Sequence, residues 1–350
     1  MNPANQKGPG ESGLFAQRIE FSENGNGPAC APAGDFGTVQ AGCRAAPLSC
    51  RVMEYLPYDQ RPASTEYRRV LERILGAGIE TPTRQGVNAL TVMQQTMAFP
   101  LADGFPVITE RSIRSFWRKP IGELCAFING ATTLREFEEF GVDWWGPWAT
   151  PEKTLKKGIE PGSLGPGSYG AAFHDFPTPE GLPFDQFAHL VEQLRELPEL
   201  RTHFVDPWIA PYQVRGEGKR PRTTIAPCHG WVHVRVLDGG LHLHMTQRSG
   251  DVPVGVPSNM IQYAALALML EHLTGYRAVA YYHTISDAHI YVDQVDAVRT
   301  MLATDPRPLP TVTLTEAGRA VTDIHDFRAE HFELSDYHPN PAIRAIPVAT

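Results

Sequence analysis

A chain of 350 residues that is 42% apolar can bury a sizeable core, as two domains or as one large domain with a dispensable leader. Its net charge of −8, with no long Lys/Arg run, excludes a general attraction to nucleic acid, although a few local arginines could still hold a small phosphorylated ligand. No stretch reaches the roughly 18 to 20 apolar residues that span a bilayer, and the N-terminus lacks a basic-then-apolar signal, so a cytoplasmic protein without a membrane partner is expected.

Residues 1–55 are rich in Gly, Pro, Ala, Ser and Asn without a sustained period and read as a flexible extension; residues 14–21 could form a short strand or helix that arms a partner subunit. Cys30, Cys43 and Cys50 fall in this leader and Cys125 and Cys228 in the body, an odd and widely spaced set that argues against a disulfide framework or a zinc motif. Residues 56–350 read as one domain. Over residues 64–76, Tyr67, Val70, Leu71 and Ile74 recur at helical spacing, with Gly76 placed to stop the helix, and a loop carrying Arg84 follows. Ile113, Trp117, Ile121, Leu124 and Ile128 mark an apolar helical stripe over residues 112–129, in which Pro120 means either a kink or a helix that starts there. Glu123 lies beside that stripe, and a buried carboxylate is rare unless paired or working. Trp144, Trp145 and Trp148 cluster next, a loop holding Tyr169 follows, and residues 184–197 form an amphipathic helix through Phe187, Leu190, Val191 and Leu194.

Val232, Val234 and Val236, then Leu241, Leu243 and Met245, alternate on either side of an Asp238-Gly239-Gly240 turn, which is a hairpin pattern. Antiparallel pairing brings Cys228, at the start of one strand, close to Arg248, at the end of the other. A lone thiol is most often a small buried apolar residue, but a thiol beside a guanidinium has its thiolate favoured, and the thiolate is the nucleophile. Residues 259–273 form a strongly apolar, buried helix whose Asn259 could serve only as a cap. Residues 278–282 form a buried strand, and His289 and Tyr291, two apart beyond it, project from one face. His233, His242 and His244 on the hairpin have no evident carboxylate partner, so they read as neutral histidines and no metal is expected.

Four segments, Pro227-Cys228-His229, Gln247-Arg248-Ser249-x-Asp251, Gly255-Val256-Pro257-x-Asn259 and His283-Thr284-x-x-Asp287-Ala288-His289-Ile290-Tyr291, resemble the thymidylate synthase family in order and spacing. A weaker likeness runs from about Arg84 to the C-terminus. The resemblance implies an α/β (α+β) fold built on a large, twisted, mostly antiparallel sheet flanked by helices, with a short strand over residues 105–109 ahead of the long helix. It also implies a homodimer formed through the face of the sheet. Cys228, Glu123, Tyr169, Arg248 and Asp251 fall at the family's catalytic positions. Arg84, Arg201, Gln247, Ser249, Asn259, His289 and Tyr291 fall where it binds the nucleotide dUMP, with Arg201 donated across the dimer. Trp145, Trp148, Asp251, Gly255 and Val348, the last in a closing C-terminal tail, fall where it holds the cosubstrate 5,10-methylenetetrahydrofolate.

The chemistry so implied is addition of Cys228 to carbon 6 of uracil, capture of a one-carbon unit at carbon 5, and loss of the folate carrier. Hydride then gives a methyl group, as in thymidylate synthesis, while water gives a hydroxymethyl group. Family members acting on cytosine commonly carry an acid where Asn259 stands, so uracil is favoured; nothing here reports on the 2′ position of the sugar. The sequence departs from the family pattern mainly near the folate, at Arg111, Gly146, Ser258 and Ala172-Phe173, and Thr202 replaces the second of two phosphate arginines. A binding protein that kept the fold and lost catalysis is the other class of reading.

Overall fold

The structure is a computed structural model and describes residues 53–343 and 346–349. The expected leader, including residues 14–21 and its three cysteines, lies outside the described residues apart from its last positions, as do Arg344 and Ala345 of the tail. In chain order come α1 (Glu66–Ala77), β1 (Ile79–Thr81), β2 (Ala89–Pro100), α2 (Lys119–Ile128), α3 (Leu134–Glu139), α4 (Pro151–Leu155), α5 (Tyr169–His174), the two-residue strands β3 (Phe176–Pro177) and β4 (Pro183–Phe184), and α6 (Gln186–Glu196). They are followed by β5 (Phe204–Val205), β6 (Trp231–Leu237), β7 (Gly240–Asp251), α7 (Gly255–Thr274), β8 (Arg277–Tyr291), α8 (Val295–Leu302), β9 (Thr311–Leu314), α9 (Glu316–Arg319) and β10 (Phe332–Ser335).

The main sheet has six strands in the order β1-β2-β8-β7-β6-β5. Every neighbouring pair is antiparallel except β7 and β8, which run parallel because the 20-residue α7 carries the chain back between them. The expected hairpin is present. Asp238 (φ 49°) and Gly239 (φ 72°) form a two-residue turn with both residues left-handed, the form whose twist matches the flanking strands. The resulting register sets Val232 opposite Met245, Val234 opposite Leu243 and Val236 opposite Leu241. Except for Val236, which is partly buried, these side chains are fully buried. The opposite face carries His233, His242 and His244, with His244 Nε2 bonded to Thr284 Oγ1 at 2.9 Å and His242 Nδ1 to the Tyr282 hydroxyl at 3.3 Å. Helix α7 is buried on all sides, as a helix apolar round its whole circumference must be, and it ends on Gly275 in the left-handed conformation (φ 78°). Among the described residues, no helix is long and apolar enough to cross a membrane.

Four local points are decided by the structure. Helix α2 begins at Lys119 with Pro120 in its first turn, and residues 114–118 form turns instead of helix. Proline lacks the N–H that a helix running in from residue 112 would need at that point, but is tolerated at a helix start. Residues 105–109 do not form a strand; Phe105 N donates to Pro310 O, and Phe105, Val107 and Ile108 are buried as a core-crossing segment. Helix α1 runs through Gly76 and stops at Gly78. Asn259 is no cap, because α7 starts at Gly255 and places Asn259 inside the helix.

Candidate active site

Cys228 lies in the turn that enters β6, half-buried, and the chain around it is clasped by Arg248 from β7. Arg248 N donates to Cys228 O at 2.8 Å, its Nε to Pro227 O at 2.7 Å, and its Nη2 to Ala226 O at 2.8 Å and to Cys228 Sγ at 3.1 Å. From the other side the Tyr169 hydroxyl accepts from Cys228 N at 2.5 Å, and the ring of His229 stacks on that of Tyr169 at 4.5 Å. Gly230 (φ 101°) makes the approach possible, since a Cβ there would stand 2.8 Å from Phe173 and 2.9 Å from the Tyr263 hydroxyl. Burial pushes the Cys228 thiol up from its ordinary value, and the Arg248 guanidinium and the Tyr169 hydroxyl draw it back without cancelling the shift. The expected guanidinium is therefore in place, but desolvation outweighs it. Cys125, buried in α2 with its thiol pushed up to about 12 by burial, is no competitor.

Beneath the thiol runs a chain of polar side chains embedded in the apolar layer. His283 Nε2 meets Gln247 Oε1 at 2.8 Å; Gln247 Nε2 donates to Asn259 Oδ1 at 3.1 Å; Asn259 Nδ2 donates to Gln262 Oε1 at 2.9 Å; Gln262 Nε2 donates to Glu123 Oε2 at 2.7 Å. Trp144 Nε1 completes it by donating to Glu123 Oε1 at 2.5 Å. Burial pushes the Glu123 carboxyl up to about 7, with the Trp144 and Gln262 hydrogen bonds limiting the rise. Burial also holds His283 and His229 down near 3, so both are neutral.

Paired residues of β7 and β8 extend the set, with Ser249 facing Asp287 and Asp251 facing His289. His289 Nδ1 is 3.0 Å from Asp287 Oδ1, and the His289 and Tyr291 rings stand 5.2 Å apart, on one side of the strand as expected. Gln294 joins this end to the tail: its Oε1 accepts from Tyr291 N at 3.0 Å, and its Nε2 donates to Asp251 Oδ2 at 3.0 Å and to Pro347 O at 2.9 Å. Burial pushes Asp251 up to about 6, and its Oδ1 is buried with no hydrogen-bond partner. Val348 is exposed beside Pro347, and Gly255 opens α7 with free space at its Cα.

The tryptophans are half-buried; Trp145 packs 5.8 Å from Trp148 and 6.5 Å from Tyr169, and with Trp144 and Gln262 it limits the rise of the Glu123 carboxyl. The arginines expected around a phosphate are not gathered in one chain. Arg84 is exposed in the β1–β2 loop, and Arg201 is exposed on the uncovered side of the sheet, where its carbonyl meets His233 Nε2 at 3.1 Å. Arg111 turns inward to donate to Pro253 O at 3.0 Å.

Three residues of the site carried no role in the sequence reading: Gln262, Gln294 and, as a partner of Gln247, His283. Gln262 could have been found, because it stands three residues after Asn259 in an otherwise apolar helix and so shares its face. Gln294 gives no such signal.

The family model described as Thymidylate synthase matches residues 65–349 of the chain. Whatever reacts here, replacing Arg248 with Gln removes the cation nearest Cys228 Sγ and moves the thiol further up. Alkylation of Cys228 by iodoacetamide at pH 7 should then slow by about tenfold or more, because the reactive thiolate becomes scarcer in proportion. An unchanged rate-against-pH curve would show that Arg248 does not act on the sulfur.

Proposed function

The chain belongs to the thymidylate synthase family, whose members transfer a one-carbon unit to a pyrimidine nucleotide, and we propose that this member acts on dUMP to give dTMP. One observation carries the reading. Asn259 is held at both ends of its amide, by Gln247 and by Gln262, so its remaining hydrogen-bonding edge offers one donor and one acceptor in a fixed sense. That edge is complementary to the N–H and C=O of a uracil ring placed over Cys228.

Cys228 Sγ adds to carbon 6 of the ring, and the double-bond electrons move to carbon 5, making it a nucleophile toward the one-carbon unit. Arg248 is the cation nearest the sulfur and favours the thiolate when the nucleotide displaces water. Glu123, near neutrality in its pKa, handles the carbon 5 proton through water, and the Tyr169 hydroxyl fixes the backbone of the nucleophile. Arg84, Arg248 and Ser249 serve the phosphate, with Arg201 supplied by a second copy of the chain, and His289 and Tyr291 serve the sugar hydroxyl. 5,10-Methylenetetrahydrofolate supplies the one-carbon unit and, for a methyl product, the hydride. One buried acceptor without a hydrogen-bond partner, Asp251 Oδ1, fits the donor edge of such a heterocycle, and Trp145, Trp148, Gly255 and Val348 complete the proposed set. Expulsion of Cys228 then frees the product.

A second reading, hydroxymethylation of dUMP by water, is favoured by half-buried Ser258 next to Asn259 and by the inward turn of Arg111, which takes a cation away from the folate side. Incubation with dUMP and methylenetetrahydrofolate separates the two: a gain of roughly 14 mass units with dihydrofolate means methyl, and roughly 30 without it means hydroxymethyl. No mass change, with turnover equally absent from wild type and Cys228→Ser, leaves only a binding protein.

Glu123→Gln should lower kcat by about 10²- to 10⁴-fold. Wild-type kcat/KM should rise with pH through about 7 as the carboxyl ionises, and the variant's residual activity should lack that limb. A limb that survives the substitution assigns the titration elsewhere. The uncovered side of the sheet, with Phe204, His233, His244 and Tyr282, is the face through which two copies associate; light scattering that reads the mass of one chain at micromolar concentration would sink the homodimer and with it the shared Arg201.

A further inference from the structure

Away from the cleft, three side chains from separate segments converge: His174 at the end of α5, Asp185 as the cap of α6, and His325 in the short 3₁₀ turn Ile324–Asp326. One ligand atom from each lies within 4.8 Å of the other two. His325 Nε2 is 2.7 Å and His174 Nε2 3.8 Å from the same oxygen, Asp185 Oδ2. The ligand atoms of a four-coordinate zinc bonded at about 2.0 to 2.2 Å stand about 3.3 to 3.6 Å apart, between these two spacings.

A second observation is independent of that convergence. The far nitrogen of each ring is held by its own carboxylate, His174 Nδ1 by Asp175 Oδ1 at 2.9 Å and His325 Nδ1 by Asp323 Oδ1 at 2.7 Å. This is the arrangement behind metal-bound histidines, where the outer carboxylate fixes the tautomer and raises the basicity of the nitrogen that faces the ion. With both Nδ1 nitrogens turned outward, an ion that displaces the proton shared by His325 Nε2 and Asp185 Oδ2 would meet two Nε2 lone pairs and a carboxylate oxygen.

The supporting backbone is already fixed. Asp185 Oδ1 caps α6 by accepting from Ala188 N at 2.9 Å, leaving Oδ2 for the cluster. The His325 carbonyl accepts from Asn129 Nδ2 at 3.1 Å and Arg328 Nη1 at 2.6 Å. The three side chains are only partly buried, so an ion can enter and a water can take a remaining position.

We propose that His174 Nε2, Asp185 Oδ2 and His325 Nε2 form a site for a divalent transition-metal ion of the zinc class, oriented by Asp175 and Asp323. The ion ties the end of α5 to the start of α6 and to the C-terminal turn. Helix α5 opens with Tyr169, so the site steadies the helix whose other end holds the backbone of Cys228.

Chelated protein carrying Cys30→Ser, Cys43→Ser, Cys50→Ser and Cys228→Ser, which removes every thiol but the buried Cys125, is titrated with zinc chloride in a calorimeter and in a melting experiment. One ion per chain and a raised Tm are expected, and cobalt(II) in place of zinc should give the intense visible bands of a four-coordinate ion. His174→Ala and Asp185→Asn, the latter keeping an oxygen to cap α6, should lose all three signals while circular dichroism shows them folded. His244→Ala, on the far side of the sheet, should keep them. No stoichiometric binding by the parent, or binding that survives both His174→Ala and Asp185→Asn, overturns the proposal and leaves a proton as the only cation of the cluster.

Discussion

A carboxylate sealed under a hydrocarbon layer must be given donors, and in this protein the need to satisfy Glu123 orders the interior. Trp144 and Gln262 donate to its two oxygens, Gln262 must then be supplied by Asn259, and Asn259 by Gln247, which His283 meets in turn. Each amide has a donor end and an acceptor end, so satisfying one fixes the sense of the next. The chain of bonds passes through α2, α7, β7 and β8, and any shift of one element leaves a buried group without a partner, which costs on the order of 1 to 3 kcal/mol. A core that served stability alone could be built from apolar side chains without these buried polar groups.

The thiol above that network is governed by two opposed effects. Arg248 holds three carbonyl or sulfur acceptors of the Ala226–Cys228 turn together with its own backbone bond, so the guanidinium both shapes the turn and biases the sulfur toward the thiolate. Burial biases it the other way and is the larger effect. Charge and burial therefore oppose one another at this sulfur, and the pull of the Arg248 charge grows as water is withdrawn from between them.

Topology explains why these groups meet. Parallel β7 and β8, joined through buried α7, bring Gln247, Ser249 and Asp251 beside Ile285, Asp287 and His289, while the tight Asp238-Gly239 turn brings Cys228 to Arg248. Gln294 then carries the same row to the tail. Helices cover one side of this sheet, and the other carries the histidines of the hairpin.

Much of this was legible along the chain. The period-2 alternation with Asp-Gly gave the hairpin and hence the Cys228–Arg248 approach; the unbroken apolar run gave α7; and a carboxylate beside an apolar stripe marked Glu123, because such patterns report local geometry and hydrophobicity, which sequence encodes directly. The extent of α2 was decided by one proline. What the sequence did not settle was every feature that depends on which distant residues share a space: that Gln262 and not solvent holds Glu123, that Arg111 turns toward Pro253, that burial outweighs the guanidinium at Cys228, and that His174, Asp185 and His325 stand together. Desolvation and pairing are properties of an assembled interior, and they exist only once the elements have been packed against one another.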